Sequence, residues 1–249
     1  MSSNIAYQTD QLVRYFAHNR VTWSQFYESE RVVIDRLDLD ASRTILDVGC
    51  GCGGLGLALR ERFAITNYTG VEINALAAEA GRTMNTNARI LCGDILDLSR
   101  GELDGQRFDV VFSLSCVDWN LCFAEMLAAA WRHVQPRGYL VATFRLCDTE
   151  GCSDITRSYQ YINFDGMRSG ERAAYVVLNA RVLLEALIGF DPTEICGYGY
   201  WGVPSPTAVT PYQRLCFAAF SIRKRNSETD APRLSLDLPR EIRNAMELA

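Results

Sequence analysis

The run Ile45-Leu46-Asp47-Val48-Gly49-Cys50-Gly51-Cys52-Gly53-Gly54 constrains this chain more than any other stretch of it. An apolar segment of strand length runs straight into glycines at positions 49, 51, 53 and 54, and then into Leu55, Leu59 and Phe63 at helical spacing. Glycine takes positive φ without penalty and lets backbone approach a ligand, so the pattern is that of a buried strand, a sharp turn and a helix. Such a turn opens a βαβ unit and places a ligand beside it. Alone it leaves the ligand open, since a pyrophosphate at the helix N-terminus or a purely structural turn would satisfy it too.

The alternation continues. Tyr68–Val71, Arg89–Cys92, Phe108–Leu114 and Tyr139–Phe144 are short β-branched or apolar runs, and helical periodicity lies between them in Leu76, Ala80 and Met84 and in Phe123, Leu127, Trp131 and Val134. Five strands joined by helices predict a mostly parallel sheet with helices on both faces and ligands at the carboxyl ends of the strands. Thr193–Val203 and Gln213–Ile222 add two strands, with the helix Asn179–Ile188 before them. Ser158–Phe164 and Ala173–Leu178 flank the turn-rich Asp165–Gly170 as a β-hairpin, about 156–178, inserted after the fifth strand. Leu12, Val13 and Phe16, then Phe26, Val33, Ile34 and Leu37, predict two amphipathic helices ahead of the sheet. A single domain is expected, with an N-terminal helical lid over 1–43, a core over 44–222 and a polar tail over 223–249 that ends in a short helix, Arg240–Leu248.

With 48% hydrophobic residues, 249 residues can bury one large α/β core. The net charge of −5 gives no general electrostatic reason to expect a nucleic-acid partner and favours a small acceptor. No run approaches a membrane span and the first residues do not read as a signal peptide, so a cytoplasmic, membrane-free protein is expected. The nine cysteines lack CxxC spacing and only His18 and His133 accompany them, which predicts reduced thiols and no metal site. The tail is long enough to reach a neighbouring copy, so a homo-oligomer is compatible with the sequence.

The residues around the glycine turn go further. The stretch resembles the first motif of class I S-adenosylmethionine-dependent methyltransferases of the small-molecule type, which have an acid two positions before the first glycine. The resemblance implies a Rossmann-like doubly wound sheet of seven strands, mostly parallel with a final antiparallel strand, and S-adenosylmethionine as cofactor. It assigns Asp47, Gly49, Cys50, Gly51 and Gly53 to the methionine portion. Glu72, in Thr69-Gly70-Val71-Glu72-Ile73-Asn74, matches the acid for the ribose hydroxyls, because an ionised carboxylate can accept two hydroxyl hydrogen bonds. Ile73 matches the residue that packs on the adenine, whereas Asn74 reads equally as a helix N-cap. In Cys92-Gly93-Asp94-Ile95, Asp94 matches the acceptor for the exocyclic amine, with Gly93 and the Ile95 N–H beside the ring. Ser113 and Leu114, at the exit of the fourth strand, are expected to line the cofactor pocket. In the segment Trp23–Arg31, Tyr27 and Arg31 match lid residues that reach the cofactor carboxylate, although a solvated helix face also explains the charges.

For the acceptor, Asp118 in Cys116-Val117-Asp118-Trp119-Asn120 is the best-placed general base or anchor, against the reading that it merely caps the next helix. Trp119, Tyr159 and Tyr161 are expected to form an aromatic acceptor wall, the two tyrosines sharing one face of a strand. Two further function classes compete. A nicotinamide oxidoreductase satisfies the loose glycine fingerprint, but Asp47 would repel a pyrophosphate; a non-catalytic cofactor-binding protein would keep the fold without turnover.

Overall fold

The computed structural model describes residue 4 and residues 8–163, 165–226 and 233–247. Five parallel strands, β1 (Thr44–Val48), β2 (Asn67–Glu72), β3 (Arg89–Cys92), β4 (Phe108–Ser113) and β5 (Val134–Cys147), form where the apolar runs lie. α1 (Gln11–Phe16) and α2 (Glu28–Asp35) precede them; α3 (Gly54–Phe63), α4 (Ala75–Met84), α5 (Ile95–Leu98) and α6 (Phe123–Arg132) connect them. β1 pairs in parallel with β2 on one side and β4 on the other. The chain order reverses there, so the crevice at the carboxyl end of β1 opens at a topological switch point.

Side-chain alternation explains the two covered faces. Ile45, Val110 and Phe112 join the core under α2 and α3, while Leu46, Val48 and Val111 join the core under α6. Both faces of the central strands are thus apolar, which is why these runs lack polar alternation in the sequence.

After β5 come β6 (Tyr159–Tyr161), β7 (Arg172–Ala174), β8 (Leu178–Asn179), α7 (Ala180–Ile188), β9 (Pro192–Gly202), β10 (Ala208–Val209), β11 (Leu215–Lys224), β12 (Arg233–Asp237) and α8 (Arg240–Met246). The expected antiparallel strand is β11, wedged between β5 and β9 and antiparallel to both. The expected hairpin is β6 and β7, with Tyr159 opposite Ala174; β10 adds a third strand to it from the proline-rich loop. Phe164, assigned to that hairpin, lies outside the described residues.

Among the described residues the main sheet holds nine strands, in the order β12-β9-β11-β5-β4-β1-β2-β3 with β8 on β5, and not seven. β12 arises from the tail expected to be polar and irregular before its terminal helix, and pairs in parallel with β9. None of its five residues is fully buried, and Leu234 is half exposed, so ladder hydrogen bonds hold it in place with Leu236 packed against the edge of the core. α8 does form, and it drives Ile242 and Met246 into the core under α7.

The tail is therefore part of the fold. Ile242→Ala is expected to lower stability by about 2–5 kcal/mol, the range for truncating a fully buried isoleucine, while binding of S-adenosylhomocysteine is unchanged. Urea unfolding and calorimetry on the variant check both halves.

Candidate cofactor and acceptor site

A cavity of about 680 Å³ runs along the carboxyl ends of the strands, from β3 at one end to β9 and β11 at the other. Its floor near β1 is the glycine turn. Val71 O accepts from Gly49 N (2.8 Å) and Cys50 N (3.0 Å), and the Glu72 carboxylate accepts from Gly51 N (2.8 Å) and Asn74 N (2.8 Å). The turn is thus fastened to the end of β2 by three amide hydrogen bonds, and the fourth, from Asn74 N, fixes the Glu72 side chain to its own strand exit. Gly49 and Gly51 sit at φ +75° and +56°. A Cβ on Gly49 would fall 2.3 Å from Cys116 Sγ, so only glycine fits.

Glu72 is buried but faces the cavity. Burial raises its pKa, against the pull of the backbone amides. Each of its oxygens takes one amide and keeps lone-pair capacity for a ligand. Asp94 also lines the cavity; its carboxylate caps α5 by accepting from Leu96 N (2.9 Å), and the Asn4 side-chain amide donates to both of its oxygens (2.8 and 2.9 Å). Ile73, Gly93 and Ile95 complete this end, and Asn74 caps α4 through Ala77 N.

The middle of the cavity departs from expectation. Asp47, Cys50 and Gly53 support the turn from behind and are not on the wall. The Asp47 carboxylate accepts from the Tyr68 hydroxyl (2.5 Å) instead of facing the cavity, and Cys50 Sγ packs against Gly70. Burial pushes the Asp47 carboxyl up to about 7, opposed by the Tyr68 hydrogen bond and Arg20. β4 ends at Ser113, one residue short of the apolar run; Ser113 and Leu114 are buried, and Ser115, at φ +50°, and Cys116 reach the cavity in their place. Burial drives the Cys116 thiol far up, so it is no thiolate nucleophile.

The lid supplies Tyr15, Phe16, Arg20 and Tyr27. Tyr27 stands where expected, but Arg31 points off the wall, and its Nε is buried without a hydrogen-bond partner. α2 packs Val33 and Ile34 onto the sheet, which turns Arg31 away. Arg20 takes its place. It donates from both terminal nitrogens to the fully buried Glu30 (3.0 and 2.8 Å), and it lies over the Phe26 and Tyr27 rings. Glu30 also accepts from Tyr27 N (2.8 Å), so one carboxylate fixes arginine, ring and helix start together.

At the far end, the Asp118 carboxylate lies 3.2 Å from Arg145 Nη1, and the same nitrogen donates to the Asp118 carbonyl (2.8 Å). The guanidinium is held between the Trp119 and Tyr175 rings, at 5.1 and 3.8 Å from their centres. Asp118 Oδ1 is enclosed and unbonded, so Asp118 is not exposed as a base. Burial raises its pKa and Arg145 draws it back. Of the expected acceptor wall, Trp119 and Tyr161 border the cavity; Tyr159 does not, lying instead edge-on to Tyr161 and beneath Arg172. The intervening Gln160 and the buried Ile162 reach the cavity. Arg145 had a sequence signal that went unused: a charged residue inside the apolar run Leu140–Cys147 is costly unless something pairs with it.

Residues 45–138 match the family model described as a methyltransferase domain. The chain is 32% identical over 97 residues to trans-aconitate 2-methyltransferase of Deinococcus radiodurans, covering 39% of this chain and 35% of that one. It is 24% identical over 206 residues to malonyl-[acyl-carrier protein] O-methyltransferase of a Marinomonas species, covering 76% and 74%. Shorter matches include ribosomal RNA and tRNA methyltransferases. For most of these curated relatives the match spans about a third or less of their length. Among solved structures, a SAM-dependent methyltransferase from Methanosarcina mazei superposes with a TM-score of 0.55 at 15% identity, over 81% of this chain and 99% of that one, and shares the fold. Residues 45–138 are thus similar to a methyltransferase domain, and the fold is shared with S-adenosylmethionine-dependent methyltransferases. The cofactor of this chain is S-adenosylmethionine, and the cradle at Gly49 together with the free capacity of Glu72 suits that molecule.

The Asp47 carboxyl carries a linkage that can be measured. Its folded pKa is raised from 3.8 to about 7, so its contribution to stability is fully present below about pH 4 and is lost as the pH rises through 7. The urea midpoint of the ligand-free protein is expected to fall over this window, and Asp47→Asn to flatten that fall. Parallel profiles for the two proteins would refute the assignment.

Proposed function

We propose that this protein moves the methyl group of S-adenosylmethionine onto a small organic acceptor seated at the β5 end of the cavity. The observation that carries this reading is the division of one enclosed cavity into two ends of different chemistry. Glu72 and Asp94 offer carboxylate acceptors at the β2 and β3 end, suited to ribose hydroxyls and an exocyclic amine, with Ile73 and Ile95 as apolar walls for the base. Aromatic rings and the Arg145–Asp118 pair occupy the other end.

In this reading the glycine turn and Arg20 flank the methionine portion, and Tyr27 stands between the two ends. The cofactor supplies a methyl group on a positively charged sulfur, open to in-line attack. The protein's part is to orient the acceptor and exclude water, which suits a site closed by the lid, the hairpin and the proline-rich loop. The name of the trans-aconitate relative agrees with a small acceptor; that of the malonyl-[acyl-carrier protein] relative puts a small acyl group on a protein, and those of the RNA relatives do not agree. Among the described residues no helix is long and apolar enough to cross a membrane.

Calorimetry with S-adenosylhomocysteine and with NADH tests the cofactor end, and only the former is expected to bind. Glu72→Ala is expected to weaken that binding by about 1–3 kcal/mol, from loss of charge-assisted hydrogen bonds, and also to lower the melting temperature because Gly51 and Asn74 lose their acceptor. Isotope-labelled cofactor incubated with a cell extract, with label followed by mass spectrometry, tests the acceptor end. Label in a low-molecular-weight product supports the proposal, and label confined to RNA overturns it.

A further inference from the structure

We infer that the acceptor is an organic carboxylate, held by the unused N–H donors of the Arg145 guanidinium and methylated on its oxygen. This rests on the methyltransferase reading and specifies its substrate class.

Arg145 is 6% exposed and lines the cavity. Nη1 donates to the Asp118 carbonyl, with the Asp118 carboxylate at 3.2 Å, and the Tyr175 side chain also hydrogen-bonds the guanidinium. Val176 N donates to the same carbonyl (3.0 Å), which fixes the 3₁₀ turn Val117–Trp119 behind the arginine. Tyr175 covers one face of the guanidinium at 3.8 Å, and Trp119 approaches it at 5.1 Å. The group is clamped at Nη1 and by its rings, and its five N–H donors outnumber these partners. A planar pair of N–H donors is the complement of a carboxylate, and a buried guanidinium with unused donors calls for an acceptor.

The charge argument points the same way. Asp118 balances Arg145 but does not reach the cavity through its unbonded oxygen, so it positions the arginine and is no proton acceptor for a substrate. Among the described residues lining the cavity, the other carboxylates are Glu72 and Asp94, which stand at the opposite end, and no histidine is present. A hydroxyl acceptor would have to lose a proton, and a methylated amine would place a new cation beside Arg145. A carboxylate needs neither. One of its oxygens forms the bond to the methyl carbon as the carbon–sulfur bond breaks, the electron pair stays on sulfur, and an anion and a sulfonium become two neutral molecules without proton transfer. In a buried site, where separated charges are poorly solvated, that neutralisation favours the reaction.

The test uses the full chain saturated with S-adenosylhomocysteine, titrated by calorimetry with benzoate and hexanoate, with benzamide and hexanamide, and with phenyl phosphate. At least one carboxylate is expected to bind at least tenfold more tightly than its amide and more tightly than phenyl phosphate. Arg145→Gln should lower that affinity at least tenfold and Arg145→Lys less, with the affinity for S-adenosylhomocysteine within twofold in both. With methyl-labelled cofactor and the extract, the product should release labelled methanol on mild alkaline treatment, as an ester does. Equal binding of acids and amides, preference for the phosphate, or alkali-stable product would overturn the carboxylate assignment while leaving the methyltransferase reading intact. Failure of the wild-type protein to bind S-adenosylhomocysteine would overturn both. Arg145→Lys, which keeps a cation opposite Asp118, guards against a fold defect in Arg145→Gln, and the acid–amide comparison on the wild-type protein needs no variant.

Discussion

The carboxylate of Glu72 is the joint on which the site depends. It ends β2 by accepting from Asn74 N, and it secures the glycine turn after β1 by accepting from Gly51 N. Two neighbouring parallel strands are thereby locked at the same height, with their exits forming one concave edge. A carboxylate can do this and still bind a ligand, because each oxygen has capacity for a second donor. The desolvation that raises its pKa is offset by the amides it holds. Architecture and cavity lining converge on a single side chain, so the turn cannot loosen without this part of the cavity loosening too.

The rest of the cavity is built by importing groups to that edge from remote parts of the chain. Arg20 enters from the lid in a left-handed conformation and is held by Glu30; Asn4 arrives at Asp94 across 90 residues of sequence. On the other side, β5 carries Arg145 out of an apolar strand to meet Asp118. Each imported charge has a counter-charge and ring partners, which keeps two buried ion pairs, Arg20–Glu30 and Arg145–Asp118, tolerable in one pocket. The cysteines nearby do the opposite work. Cys50 and Cys116 fill the space that Gly70 and Gly49 leave open, and burial keeps both thiols protonated.

Errors in reading the site from sequence share one cause. Motif position identifies the strand end, but the side chain that faces the cavity depends on where the strand stops and what captures its neighbours. Asp47 is drawn to Tyr68, Ser113 and Leu114 remain within the sheet while Ser115 and Cys116 emerge, and Arg31 is carried away by the packing of α2. In the hairpin, the alternation of Tyr159 and Tyr161 with Gln160 and Ile162 was legible, yet not which side would meet the protein. A strand three residues long is positioned by its partners, here β7 and β10, and these put Ile162 inward.

The sequence by itself determined the alternating α/β order, the switch-point crevice, the glycine turn and the acids Glu72 and Asp94, because each is a local pattern: periodicity, a positive-φ requirement, or an acid just past a strand. Tertiary structure alone decided the chemistry of the acceptor end. The Arg145–Asp118 pair spans 27 residues, its ring partner Tyr175 comes from beyond the hairpin, and β12 joins the sheet through backbone hydrogen bonds that no side-chain pattern announces. Whether a buried charge is a liability or a binding group depends on which of its donors the fold leaves unused, and that is set by packing in three dimensions.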